Sequence, residues 1–252
     1  MIKWEDTPAA IWRGRSRYLR GVIDIDPIRL QSLVGIDRQI GLLRTNTERF
    51  LTGLPANNAL LWGARGTGKS ALVKALLNQY RDNGLRLIQV DKDDLIDLPD
   101  IVDQIREQAF HYLIFCDDLS FESGESSYKP LKSILEGSIE QPPKNILLYA
   151  TSNRRHLVPE QMQDNLDTQV TTDEIHYGDA VEEKVSLSDR FGLWVSFHAI
   201  SLEGYLTIVD SYFTDYQGDR RELHRAAKLF AANRGSRSGR TAKQFYNSFT
   251  QP

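Results

Sequence analysis

The octapeptide Gly63-Ala64-Arg65-Gly66-Thr67-Gly68-Lys69-Ser70 limits what this chain can become more than any other stretch. It fits G-x-x-x-x-G-K-S and stands between the apolar run Ala59-Leu60-Leu61-Trp62 and a segment starting near Ala71. In that segment Leu72, Val73, Leu76, Leu77 and Tyr80 recur at helical spacing. Glycines at these positions let backbone N–H groups converge on one anion. Lys69 would reach the β and γ phosphates of a nucleotide, and Ser70 would ligate Mg2+. The helix that follows points its positive dipole end at the same place, so Gly63 to Ser70, with Ala71, form a candidate phosphate cradle.

Four further apolar runs read as strands: Leu85 to Val90, Tyr112 to Cys116, Asn145 to Thr151 and Leu193 to Ala199. Tyr112-Leu113-Ile114-Phe115-Cys116 carries no polar alternation, as expected for a central parallel strand covered on both faces. Helical patterns occupy Gln39 to Leu51, Asp94 to about Phe110 with an early interruption at Leu98-Pro99-Asp100, where Pro99 suits the first turn of a new helix, and residues 128–140. From Ser201 onward only helices are predicted, over Leu202 to Tyr212, Arg221 to Ala232 and Thr241 to Phe249. Strands alternating with helices and then a helical tail predict a doubly wound α/β domain with an α-helical lid. The expected division is an N-terminal arm over 1–30, a nucleotide-binding domain over 31–200 and a lid over 201–252. Residues 159–183 are polar and acidic and read as a surface insertion.

Lys and Arg number 31 against 34 Asp and Glu, a formal charge of −3, so the whole chain carries no field drawing it to nucleic acid or acidic lipid. Local basic groups leave DNA contact open: Arg13, Arg15, Arg17 and Arg20 lie among Trp4, Trp12 and Tyr18, and the lid carries Arg220, Arg221, Arg225, Lys228, Arg234, Arg237 and Lys243. The single cysteine, Cys116, forms no intramolecular disulfide and no cysteine zinc cluster, and the five histidines show no metal spacing. No apolar run approaches the roughly 20 residues that span a bilayer, and the cytoplasm is the expected compartment.

Asp117 and Asp118 end the central strand, where a carboxylate beside Ser70 holds Mg2+ directly or through water. Asp118 is placed to polarise an attacking water, with Glu122 as a nearby substitute. Asn153 ends a strand expected to neighbour the one carrying Asp117, and its amide can both donate and accept beside a γ-phosphate.

These segments, in this order, resemble an AAA+ ATPase. Gly63 to Ser70 resembles the Walker A motif, Leu113 to Asp118 the Walker B motif and Asn153 the sensor 1 residue. Ser188-Asp189-Arg190-Phe191-Gly192 resembles the segment bearing the arginine finger, and Gly239-Arg240-Thr241-Ala242 the start of the lid helix bearing the sensor 2 arginine. More narrowly, Gly35-Ile36-Asp37, Trp62 to Ser70 and Asp117-Asp118-Leu119-Ser120-Phe121 are similar to a bacterial family of predicted AAA+ ATPases of undefined role. The resemblance implies a five-stranded parallel sheet of order 5-1-4-3-2 sandwiched by helices, a helical lid, and ATP and Mg2+ as ligands. It also implies ATP-dependent homo-oligomers, with Arg190 reaching a neighbour's γ-phosphate and Arg240 the phosphates of its own chain. Val34, Gly35 and Ile36 would line the adenine pocket and Ile208 would close it.

One departure stands out, because AAA+ ATPases usually carry Asp-Glu where this chain has Asp117-Asp118. The shorter side chain leaves two readings: an ATPase that remodels or loads a macromolecular partner, and a nucleotide-gated binding module with weak hydrolysis, in either case without a legible client. A small-molecule kinase fits the helical tail and Arg190 poorly.

Overall fold

In chain order the strands of the main sheet are β1 (Ala9–Arg13), β2 (Tyr18–Val22), β3 (Ala59–Gly63), β4 (Leu85–Gln89), β5 (His111–Cys116) and β6 (Ile146–Ser152), with β9 (Leu193–Phe197) last. Between them β7 (Val170–Thr171) and β8 (Glu174–Ile175) form a separate antiparallel pair. The α-helices whose two ends fall among the described residues are α1 (Asp37–Leu51), α2 (Lys69–Tyr80), α3 (Leu98–Ile105), α4 (Leu202–Tyr212), α5 (Arg220–Asn233) and α6 (Gly239–Ser248). The computed structural model describes residues 2–121, 131, 135, 141–155, 157, 170–171, 174–175 and 187–249. Most of the helix expected over 128–140, Glu122 and most of the 159–183 stretch lie outside the described residues.

The sheet runs β2-β1-β4-β5-β6-β3-β9. Its last five members, taken from β9, reproduce the expected 5-1-4-3-2 order, and every neighbour pair among them is parallel. The sheet is seven-stranded where five strands were expected, because residues 9–22 of the expected arm form a hairpin. β1 pairs parallel to β4, and β2 closes the edge antiparallel to β1. The arginines hide this hairpin in the sequence, yet Trp12 is 1% exposed and its indole N–H donates to Asp97 at 2.9 Å. Alternation does the rest: Trp12 and its cross-strand partner Leu19 face one side, Ala9 and Val22 the other.

Strand β5 lies centrally and feeds both faces, with Leu113 and Phe115 in one apolar cluster and Tyr112, Ile114 and Cys116 in the other. Helices α1 and α2 cover the first face through Leu43, Phe50, Leu72 and Leu76, and α3 covers the second through Leu98, Ile101 and Ile105. The stretch from Asp94 is interrupted where Pro99 was expected to restart it: Lys92–Asp97 is a 3-10 segment, and α3 begins afresh with Pro99 in its first turn, where the missing N–H costs nothing, and stops at Ile105, short of the expected Phe110. Helices α4, α5 and α6 enclose a third cluster of their own, built on Phe213, Phe245 and Tyr205.

Beneath the first face Tyr149 is fully buried and its hydroxyl meets Asn46 Nδ2 at 2.9 Å and Thr47 Oγ1 at 3.0 Å. Burial pushes its pKa up, so the neutral phenol is the native form. Tyr149→Phe removes this joint from a dry site while Asn46 and Thr47 keep their carbonyl partners Asn57 and Leu43. We expect a loss of about 1–2 kcal/mol, read as a fall of roughly 2–8 °C in the thermal midpoint with nucleotide binding unchanged.

Candidate functional site

Strands β3, β5 and β6 end side by side on one rim of the sheet, which brings the phosphate loop, Asp117-Asp118 and Asn153 together. Gly63 closes β3 with φ +132°, and a Cβ there would lie 1.9 Å from the Phe197 carbonyl oxygen. Only glycine lets the loop leave the sheet so close to β9, and the Ala64 N–H then donates to that same oxygen at 3.0 Å.

Lys69 folds over the loop. Its ammonium donates to the carbonyls of Gly63 (2.9 Å) and Ala64 (2.7 Å) and to Asn153 Oδ1 (3.2 Å). Burial lowers its pKa, and the charges of Asp118 and Asp117 oppose that shift. Asn153 uses its other end as well, donating through Nδ2 to Asp118 Oδ1. One amide therefore joins the cation of the loop to the second carboxylate of the strand end.

Asp117 accepts at a single oxygen from Ser70 Oγ (2.6 Å) and from Thr151 Oγ1 (2.5 Å). Thr151 also takes the Asp118 N–H at 2.9 Å and, through its carbonyl, the Leu119 N–H at 2.7 Å. These bonds turn the chain sharply after β5, and Asp118 adopts φ +54°, one of two non-glycine positive values among the described residues. Aspartate and asparagine tolerate that region best among side-chain-bearing residues, because a short polar chain bonds locally.

The helical cluster touches the loop directly. The Gly239 N–H, first in α6, donates to the Gly66 carbonyl at 3.0 Å, and Ser238 packs where a Cβ on Gly66 would stand 2.7 Å from its own Cβ. Ser238 also caps α6 by accepting the Thr241 N–H at 3.1 Å, so α6 opens against the middle of the phosphate loop.

A cleft of about 1010 Å3 runs between these parts. Of the residues singled out from the sequence, Val34, Ile36, Arg65 to Ala71, Asp117, Asp118, Asn153, Ile208 and Arg240 line it. Gly63 and Ala64 lie behind the loop as acceptors for Lys69, and Gly35 is a turn with φ +78° beside the wall. Arg190 follows a helical turn over 187–189 and does not line the cleft.

The profile of a family described as a protein of unknown function, DUF815, matches residues 5–251. The chain belongs to the DUF815 family. No curated protein matches it. Among solved structures it is similar to Thermotoga maritima RuvB, described as a Holliday junction branch migration motor, at 11% identity and TM-score 0.48, covering 88% of this chain and 72% of that one. A substituted form of the same RuvB gives 12% identity, TM-score 0.48 and the same coverage.

In this DUF815 chain the cleft also contains Lys243, read from the sequence as a basic lid group, and Asp26, Thr151 and Tyr212, which the sequence reading passed over. Two of them had a signal. Thr151 falls beside Asp117 once β5 and β6 pair with Cys116 opposite Ala150, and Tyr212 follows Ile208 by one helical turn. Asp26 had none. It reaches the wall because Asn78 Nδ2 on α2 donates to the Asp26 and Ile28 carbonyls, each at 2.8 Å, pinning the segment that precedes α1. Cys116, beside Asp117, is fully buried, and burial pushes its thiol up to about 12, which makes it an inert packing group.

Proposed function

We propose that this chain is an AAA+ ATPase that binds ATP with Mg2+ in the cleft and hydrolyses it within an assembly of copies, the cycle serving to remodel or load a macromolecular partner. One observation carries the reading: Asn153 bonds Lys69 and Asp118 at once, at the mouth of a phosphate loop whose Ser70 meets Asp117. Cation, amide and carboxylates thus stand where the terminal phosphate of a nucleotide and its attacking water belong. Asn153 holds the amide at that phosphate and Asp118 takes a proton from water. Lys69 holds the β and γ oxygens.

A hydroxyl and a carboxylate oxygen 2.6 Å apart are the hard oxygen donors that Mg2+ takes, so Ser70 and Asp117 would hold it. Held by Ser70 and Asp117, Mg2+ would supply positive charge against the triphosphate. The apolar wall of Val34, Ile36 and Ile208, with the Gly35 turn, receives the base. Residues 201–252 act as the lid. Its α6 carries Arg240 into the cleft and rests on Gly66, which links lid angle to the state of the loop.

Arg190 stands away from the cleft of its own chain, in keeping with a role toward a neighbour's phosphates. ATP turnover per chain is therefore expected to rise with protein concentration. Arg190→Ala should remove most of that rise, by a factor of about 10³ to 10⁵ in rate, and adding Lys69→Ala protein, which has an intact Arg190, should restore it. A flat concentration profile in the native protein would instead favour the nucleotide-gated binding module. The short Asp118 side chain, tied to Asn153, is the observation that supports that second reading.

A further inference from the structure

One hydroxyl joins both carboxylates at the end of β5. Thr151 is 2% exposed, in a strand that is buried along its whole length from Ile146 to Ser152. It follows Tyr149 by two residues and so faces the same side of the sheet, toward α1 and α2, where Ser70 stands in the first turn of α2. A valine would suit the strand and the burial equally well, and the hydroxyl therefore needs another reason.

The partners of that hydroxyl fix where its proton lies. The Asp118 N–H, at 2.9 Å, can only donate, so Thr151 Oγ1 accepts there. Its single proton then goes to Asp117 Oδ1 at 2.5 Å, the same oxygen that takes the Ser70 proton at 2.6 Å. Among the described residues the Asp117 carboxylate accepts at Oδ1 alone. The Thr151 carbonyl adds a third hold by accepting the Leu119 N–H at 2.7 Å. One residue thus grips three consecutive positions, Asp117, Asp118 and Leu119, and the middle one is the aspartate with φ +54°.

We infer that Thr151 is a positioning residue for the hydrolysis proposed above: its hydroxyl sets the rotation of the Asp117 carboxylate and holds the Asp118 backbone, so that metal-holding group and base keep one spacing. This role rests on the ATPase reading and adds to it the group that aligns the two acids. Ser70 cannot supply the alignment, because its oxygen is itself a candidate metal ligand. The Thr151 hydroxyl bonds only Asp117 and Asp118 among the described residues, which leaves it free to keep both bonds in the loaded and the empty site alike. Removing a hydrogen bond to a metal-holding carboxylate typically changes metal affinity or activity by about 10- to 100-fold.

The test sets Thr151→Val, which keeps the shape and loses the hydroxyl, beside Thr151→Ser, which keeps the hydroxyl and loses the methyl. The full native chain and both variants are titrated with Mg2+ at a fixed concentration of a fluorescent ATP analogue, and kcat, KM for ATP and the apo thermal midpoint are read on the same preparations. Thr151→Val should need roughly 10- to 100-fold more Mg2+ for half-maximal binding and lose a similar factor in kcat at saturating Mg2+, with KM for ATP close to native. Thr151→Ser should recover most of both, although its missing methyl lowers the thermal midpoint. If Thr151→Val has no thermal transition, Thr151→Ala and Thr151→Ser give the same contrast, since they differ only in the hydroxyl. A hydroxyl-free variant with the native Mg2+ midpoint and kcat overturns the assignment, and so does Thr151→Ser losing as much as its hydroxyl-free partner, which would make Thr151 a packing group. A rise in KM with kcat unchanged overturns it as well, by making Thr151 a substrate-binding group. A native chain that takes up no analogue at any Mg2+ concentration refutes the ATPase reading and this role together, whereas native uptake with an unaltered Thr151→Val refutes this role alone.

Discussion

Lys69→Ala is expected to abolish measurable ATP binding, with affinity for a fluorescent ATP analogue in the presence of Mg2+ falling by a factor of about 10² or more. Lys69 is 7% exposed, and its ammonium is already gathered over the loop by the Gly63 and Ala64 carbonyls. Charge-assisted bonds to phosphate are worth about 1.5–3 kcal/mol each, and no water held in its place carries a fixed positive charge. Removing the cation also leaves Asp117 and Asp118 facing an incoming triphosphate with less opposition, so the repulsive part of the field grows as the attractive part disappears. The apo thermal midpoint serves as the control, since both carbonyls freed by the substitution line an open loop that water can reach. Retained binding by a folded Lys69→Ala protein would remove the basis for the nucleotide reading altogether.

Asp118→Asn should separate binding from chemistry, keeping ATP bound while turnover falls by about 10² to 10⁴, the range ascribed to a positioned general base. The substitution is close to isosteric. Asparagine accepts the φ +54° backbone as aspartate does, and its amide oxygen still accepts from Asn153. Phosphate release under saturating ATP, set beside equilibrium binding of the same analogue, reads both quantities. Turnover at the native rate would move the base away from Asp118. The same dihedral favours aspartate over glutamate at this position. A longer side chain lacks the local bonding that makes a left-handed position tolerable, so Asp118→Glu is expected to lose about 1 kcal/mol of stability and to gain no rate without a backbone shift.

Much of this arrangement was legible before any coordinates. The G-x-x-x-x-G-K-S loop, the unbroken apolar run before Asp117 and the helices-only tail are local patterns with one physical reading each, and α2, β5 and α4 to α6 form within two residues of where the spacing puts them. The first hairpin was not legible. Its arginines read as a polar arm, and only the pairing of β1 with β4 shows that Trp12 and Leu19 share one buried face. The broken helix before α3 was half legible, since Pro99 marks the restart while the 3-10 turn preceding it answers to Leu95 packing under the sheet.

By itself the sequence determined the chemistry on offer: which side chains stand at strand ends, which loop can wrap an anion, and that one short carboxylate replaces a longer one. Those are properties of neighbours along the chain. The tertiary structure alone decided who meets whom. Asn153 bridges Lys69 and Asp118 because β6 lies between β3 and β5. Thr151 holds Asp117 because Ala150 pairs with Cys116, and Ser238 rests on Gly66 because the helical cluster folds back over the loop. Contacts between residues roughly 30 to 170 positions apart depend on strand register and layer packing, and neither is written in local periodicity.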